Sequence, residues 1–169
     1  DTLGHLARAQ YDTVYRLYPL VVTDAMGYTR TIGYDLARGL VLTETDANNA
    51  STTYGYDTWG RLISVTRPLY SAPATRYTYP AASGSQPPYT VAAPFAIKTE
   101  VLTGTNGSTP LYQSAWAIYD GLGRALQSQS PSELGLVVQS TGYNALGQVV
   151  TATLPYTATG NGGTYLAPS

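Results

Sequence analysis

Apolar positions along this chain come in short runs, and none recurs at the i, i+3, i+4, i+7 spacing that an amphipathic helix requires. Arg61-Leu-Ile-Ser-Val-Thr-Arg67, Gly39-Leu-Val-Leu-Thr-Glu44 and Gln148-Val-Val-Thr-Ala-Thr-Leu154 are representative. Each is flanked by Gly, Pro, Asp or Asn, the residues that punctuate strands. Within each run the apolar side chains fall on both alternating sets. That predicts strands of a sheet partly covered on both faces, a weakly amphipathic wall.

The punctuation repeats. Tyr11-Asp12, Tyr34-Asp35 and Tyr56-Asp57 are spaced 23 and 22 residues apart, and Tyr119-Asp120 and Tyr143-Asn144 continue the pattern 24 apart. Tyr79-Pro80 falls 23 residues after Tyr56 as a degenerate copy. Between these pairs runs a second series, in which Asp1, Asp24 and Asp46 each stand ten residues before the next repeat tyrosine. All seven aspartates therefore occupy one of two repeat positions.

Most of these acids open the same four-residue unit, as in Asp24-Ala-Met-Gly27, Asp57-Thr-Trp-Gly60 and Asp120-Gly-Leu-Gly123. Asp1-Thr-Leu-Gly4 repeats it, Asp46-Ala-Asn-Asn49 and Asn144-Ala-Leu-Gly147 are variants, and Asp35-Leu-Ala-Arg-Gly39 is one residue longer. Asp or Asn at the first position of a type I turn caps the backbone with a side-chain oxygen, and Gly or Asn at the fourth takes the positive φ that closes a hairpin with a bulge. A half-repeat is then a strand and a tight turn, and a whole repeat is one β-hairpin. The predicted fold class is all-β: antiparallel β-hairpin repeats forming a curved ribbon-like or shell-like sheet. Equal phase further predicts that Tyr11, Tyr34, Tyr56, Tyr119 and Tyr143 share one face and stack as a ladder.

Composition narrows the function classes. Only 11% of residues are charged, the net charge is −1, and Lys98 is the one lysine, against about 25% charged residues in an ordinary soluble domain. A basic field for nucleic acid or an anionic membrane is thereby excluded as a main activity. No run approaches the roughly 18 apolar residues of a membrane helix. With no cysteine, disulfide scaffolding, thiol catalysis and cysteine-based metal sites are out. Sixteen tyrosines against one Phe and two Trp suit half-wet sheet faces, where the ring packs and the hydroxyl finds a partner. A chain opening on Asp1 instead of Met is expected to be a processed product or an excised piece.

Tyr-Asp-x-x-Gly-Arg-Leu at Tyr56 to Leu62 and Tyr-Asp-x-x-Gly-Arg at Tyr119 to Arg124, with Asp-x-x-Gly turns ten residues ahead of the next tyrosine, resemble the YD repeats of Rhs-type proteins. The likeness spans Asp1 to about Pro80 and Ala115 to about Pro155. It departs from the pattern where Ala125 follows Arg124 in place of Leu, and where Tyr15 stands for the glycine before Arg16. The resemblance implies a long antiparallel ribbon. In Rhs proteins, the B and C components of insecticidal toxin complexes and teneurins, such hairpins coil into a large hollow shell. The family's self-cleaving C-terminal segment, propeller and effector have no matching stretch here, so the chain is expected to be a wall segment or a small assembling relative.

The expected organisation is YD repeats over 1–80, an irregular Pro-rich insertion and a degenerate hairpin over 81–114, YD repeats over 115–156, and a Gly-rich tail over 157–169, a flexible end or another turn. Asn106-Gly107 is the hairpin signal in the insertion. The structural repeat residues are Tyr11, Asp12, Tyr34, Asp35, Gly39, Tyr56, Asp57, Gly60, Arg61, Tyr119, Asp120, Gly123, Arg124, Tyr143, Asn144 and Gly147. Asn49 and Asn106 head Asn-x-Ser sequons in predicted turns and are candidate glycosylation sites. His5, the sole histidine, reads as an exposed strand residue instead of a member of a Ser-His-Asp set. Stacked Asp12, Asp35 and Asp57 make a carboxylate row conceivable for glycoside hydrolysis or for calcium, with Asp46-Ala-Asn-Asn49 the densest oxygen cluster. Turn capping already accounts for these acids, so no catalytic residue, metal or cofactor is expected.

The resulting expectation is a non-enzymatic structural protein, the β-sheet wall of a secreted or cell-surface assembly of the encapsulating-shell type. Its expected partners are further YD repeats of a longer chain or copies of itself, with no nucleic acid and no membrane span. An extracellular filament built by strand pairing between copies is the alternative, and a carbohydrate-binding adhesion module the remote one. The terminal strands near Gly4–Gln10 and Gln148–Leu154 carry little of the charge that usually blunts a sheet edge.

Overall fold

The structure, a computed structural model, describes residues 6–81 and 92–167. The turn predicted at Asp1, His5 and most of the Pro-rich insertion lie outside them. Among the described residues there is no helix, and every strand pairing is antiparallel. The all-β hairpin architecture is therefore the observed one. Two compact units divide at Arg76/Tyr77.

In the first unit, β1 (Arg8–Tyr11), β2 (Pro19–Thr23), β3 (Thr29–Asp35), β4 (Leu40–Thr45), β5 (Ser51–Tyr56) and β6 (Leu62–Thr66) pair in chain order. The first residues of β7 (Thr75–Thr78) then pair with β6. Few of the described side chains here are buried, Ile32, Ala74 and Asp12 among them, and β2 is half-buried at every position. This is the weakly amphipathic wall that the mixed apolar alternation predicts.

In the second unit, β8 (Phe95–Asn106) and β9 (Thr109–Tyr119) form a hairpin much longer than the others, followed by β10 (Ala125–Ser132), β11 (Gly135–Tyr143), β12 (Val149–Ala152) and β13 (Tyr156–Ala158). Asn106 pairs with Thr109, so Gly107 and Ser108 are the loop residues, and Gly107 has φ +61°. Glycine with positive φ in the first loop position is the type II′ pattern, in which Asn106 ends a strand instead of occupying the turn. The outer side of β11 is shared: β12 pairs with Thr141–Tyr143 and β13 with Leu136–Val138. Ile118, Gln127, Gln129, Leu136, Val138 and Ser140 are buried on one face of β9–β11 and make a true core. The tail from Thr157 is not a loose end, because it supplies part of β13 and then crosses that core.

Candidate functional site: the aspartate turns and the glutamine cradle

The turns share one hydrogen-bonding scheme. At Asp57, the Gly60 N–H donates to the Asp57 carbonyl and the Asp57 N–H to the Arg61 carbonyl, while Asp57 Oδ1 accepts from the N–H groups of Trp59 and Arg61 at 2.9 Å each. Asp24, Asp46, Asp120 and Asn144 repeat these four bonds residue for residue. The fourth residue is left-handed in each, with φ +86° at Gly27, +61° at Asn49, +78° at Gly60, +79° at Gly123 and +80° at Gly147. It is a type I turn closed by a left-handed bulge residue, the geometry that suits a three-residue hairpin loop. Asp35 carries the longer version, with Gly39 at φ +69°.

What separates the Tyr-Asp turns from those at Asp24 and Asp46 is the second carboxylate oxygen. Asp57 Oδ2 takes the Arg61 Nε at 2.7 Å, Asp120 Oδ2 the Arg124 Nε at 2.6 Å, and Asp35 Oδ2 the Arg38 Nε at 2.7 Å. At Asn144 the pair is rebuilt without charge, the Asn144 amide donating to Gln148 Oε1 at 2.9 Å. Burial pushes the carboxyls of Asp57 and Asp120 up, but the backbone N–H groups and the neighbouring guanidinium outweigh it and hold both below the usual carboxylate range. At Asp35 the Arg38 hydrogen bond is the main cause of the same lowering.

Asp12 is the departure flagged by Tyr15. With no glycine at the fourth position the loop runs on to Tyr18, whose carbonyl accepts from the Asp12 N–H, and Arg16 takes the left-handed conformation at φ +56°. The Asp12 carboxylate, 2% exposed, organises this loop by accepting five backbone N–H groups: Val14, Tyr15 and Arg16 on Oδ1, Leu17 and Tyr18 on Oδ2. Burial raises its pKa, and the N–H groups of Tyr18, Tyr15, Leu17 and Arg16 pull it down further than that, to about 2.

Tyr11, Tyr34, Tyr56, Tyr119 and Tyr143 each stand at a bulge. Between Gln10/Tyr11, Gly33/Tyr34, Gly55/Tyr56 and Gly142/Tyr143, and at the equivalent place before Tyr119, the partner strand carries one extra residue: Leu20, Leu42, Ile63, Val150 and Leu126. A bulge flips the alternation beyond it, which is why apolar residues occupy both sets in the sequence. Beside the bulge the tyrosine links successive hairpins. Tyr56 Oη donates to the Val41 carbonyl at 2.8 Å, and Tyr143 Oη to the Ala125 carbonyl at 3.0 Å. Val41 and Ala125 are the residues facing Tyr34 and Tyr119, so each hydroxyl reaches the partner of the preceding repeat tyrosine. Tyr34 instead packs against Tyr18 with ring centroids 5.1 Å apart, and Tyr119 against Phe95 at 5.7 Å. In place of the expected ring-on-ring ladder, Tyr56 and Tyr143 thus join successive hairpins by hydroxyl-to-carbonyl bonds, and Tyr34 and Tyr119 pack on rings outside the repeat set. Burial raises the Tyr56 pKa and keeps the hydroxyl a donor. The Arg124 guanidinium, already held by Asp120, lies 4.9 Å above the Tyr143 ring and ties this turn to the next repeat by a cation–π contact.

Two sets of residues went unnoticed in the sequence. Gly33, Gly55 and Gly142 precede the repeat tyrosine, and a Cβ on any of them would collide with the hydroxyl of Thr43, Ser64 or Thr151 across the bulge. Their signal was legible as the tripeptide Gly-Tyr-Asp/Asn, which occurs three times. The second set is Gln127 and Gln129, buried on β10 with their amides against the tail. Gln129 Nε2 donates to the Thr164 carbonyl at 2.7 Å and its Oε1 accepts from the Gly163 N–H at 2.9 Å. Gln127 Nε2 donates to the Leu166 carbonyl at 2.7 Å and its Oε1 accepts from the Leu166 N–H at 3.1 Å. Only partners 34 to 39 residues away give the pair its meaning, and nothing local announces them.

Asn49 is exposed at its turn and Asn106 ends β8 at an exposed hairpin tip, so both sequons are accessible. Among the described residues, no group of three or more His, Asp or Glu side chains is arranged to hold a metal ion, and no helix is long and apolar enough to cross a membrane.

No curated protein matches the chain. Among solved structures it is similar to a chain in the crystal structure of TcdB2-TccC3-Cdc42, at 18% identity and a TM-score of 0.39, over 87% of this chain and 9% of that one. The present chain therefore spans a small part of that protein's length. Residues 34–72 match the model of the RHS repeat. That stretch contains the Asp35 and Asp57 turns, two bulges and the Tyr56 hydroxyl bond. Beyond it the same turn recurs at Asp120 and Asn144 and the same hydroxyl bond at Tyr143, so residues 34–72 are matched as an RHS repeat and the rest of the chain resembles that repeat in its turns and bonds.

Proposed function

We propose that this chain is a structural, non-enzymatic stretch of β-sheet wall, part of a secreted or cell-surface assembly of the encapsulating-shell type. The observation that carries this reading is the engagement of the repeated acids. Asp12, Asp35, Asp57 and Asp120 use both carboxylate oxygens on their own turns. Their pKa values are lowered, the opposite of what a general acid needs. The sheet edges support the partner class. β1 and β12 are exposed throughout, and among the described residues each has a strand on one side only, β2 and β11. Their outer N–H and C=O groups template further pairing, with more repeats of a longer chain or with another copy.

Light scattering on the purified chain across a wide concentration range tests this. Association is expected, and Val150→Lys on the exposed β12 edge should suppress it. Growth without limit would favour the filament form, in which head-to-tail contacts do not close. A monomer at every concentration, with β1 and β12 amides protected from exchange, would overturn the wall reading.

A further inference from the structure

Residues 162–166 lie across the buried face of the second unit without adding a strand to it. Gln127 and Gln129 are two apart on β10, hence on the same face and about 7 Å from each other. An extended chain presents like carbonyls at the same interval, and those of Thr164 and Leu166 are the ones taken. The remaining amide hydrogens stay within the pair's own network, Gln129 Nε2 donating to Gln127 Oε1 at 2.7 Å and Gln127 Nε2 to Ser140 Oγ at 2.8 Å. All four amide hydrogens of the two glutamines are thus used. The four bonds that reach the segment go to its main chain, two donated and two accepted, as a neighbouring strand would make them. Selection among segments comes from shape. A Cβ at Gly162 would run into the indole of Trp116, and one at Gly163, where φ is +96°, would stand 3.1 Å from Trp116 Cδ1.

We propose that this face is a binding site for an extended peptide. It reads main chain through Gln127 and Gln129, requires the glycine pair of a Gly-Gly-x-x-Leu segment over Trp116, and is filled in cis by residues 162–166. When the cis segment is out, the same segment of a second copy takes its place. A vacated site has buried amide donors and acceptors without partners, which makes refilling favourable, and because the bonds are to main chain, it accepts the segment in trans as it does in cis.

The test uses the full chain carrying Trp59→Phe, so that Trp116 alone reports, and adds Gly162→Val to expel the segment. Trp116 emission should shift to the red and exchange protection at Gly163 and Leu166 should be lost. A labelled synthetic peptide of residues 159–169 should then restore both, saturably, and bind at least about tenfold more tightly than it does to the chain with its cis segment intact. The same peptide carrying Gly162→Val should not bind. Leu166→Pro, which removes the N–H that Gln127 Oε1 accepts, provides a second vacated chain should Gly162→Val fail to fold. Unchanged Trp116 emission and exchange on substitution, or no binding of the peptide to either vacated chain beyond that of a scrambled one, would overturn the site.

Discussion

A carboxylate has two oxygens, and the repeat uses them differently. In the Tyr-Asp turns Oδ1 replaces missing backbone partners, while Oδ2 fixes an arginine that leads into the next strand. At Asp12 both oxygens serve the backbone, since five N–H groups of an irregular loop converge on them. The acid at this position is therefore the loop's main organiser, and its pH dependence has a definite sign. The folded pKa, about 2, lies below the ordinary value of 3.8, so the stabilisation is fully present above that ordinary value and is lost as pH falls toward 2. Urea unfolding of the intact chain should weaken through this window. Asp12→Asn, which turns donor hydrogens toward some of the five N–H groups, should lower stability near neutral pH and remove the Asp12 share of the acid loss. A variant as stable as the parent near neutral pH would show that the loop does not depend on the charge. That the acid is a turn residue was readable from its spacing. That it would accept five bonds was not, because the substitution of Tyr15 for glycine says only that the short turn is unavailable.

Hairpin length, strand alternation and tyrosine position are all set at the element level by the bulge. Spacing and punctuation revealed hairpins, and their turn residues were legible because Asp, Asn and Gly have few alternatives at those positions. The bulge itself was hidden. It leaves no residue of its own, and the apolar extra residues Leu42 and Ile63 read as ordinary strand positions. Its steric consequence can be tested at the glycines. At Gly33 a new Cβ meets the Thr43 hydroxyl, and at Gly55 it meets that of Ser64. Threonine is β-branched, so rotating its hydroxyl away brings a methyl into the same space, whereas serine rotates without that penalty. Gly33→Ala should then cost about 1–3 kcal/mol, in the overpacking range, and Gly55→Ala about 0.5–1.5 kcal/mol, the cost of a strained rotamer. Ser64→Ala should relieve most of the Gly55→Ala loss, since the Cβ atoms would sit 3.7 Å apart in ordinary contact. Equal costs at the two glycines, measured by denaturant unfolding, would count against the bulge as their cause.

Over the whole chain, burial is uneven, and stability should follow it. In the second unit Ile118 and Val138 are 1% and 0% exposed and sit with Gln127 and Gln129 beneath the tail. Among its described residues the first unit has nothing comparable beyond Ile32, Ala74 and the Asp12 loop. The composition could not have shown this, because the covering segment is a glycine-rich stretch that reads as a tail, and the polar half of the core is a Gln-Ser-Gln run that reads as surface. Local opening requires little where strands are exposed and have one neighbour, and much where apolar area and satisfied polar groups are enclosed. Native-state hydrogen exchange should therefore be slowest in β9–β11 and fastest in β1 and β12. Ile118→Ala, which opens a cavity in the enclosed face, should cost about 2–5 kcal/mol and accelerate exchange across β9–β11. Ile32→Ala, at 8% exposure, should fall at the low end of that range, since its side chain already borders solvent. If β1 exchanged as slowly as β10, the protection would have to come from a partner strand on its open edge, and the same measurement would then report the assembly itself.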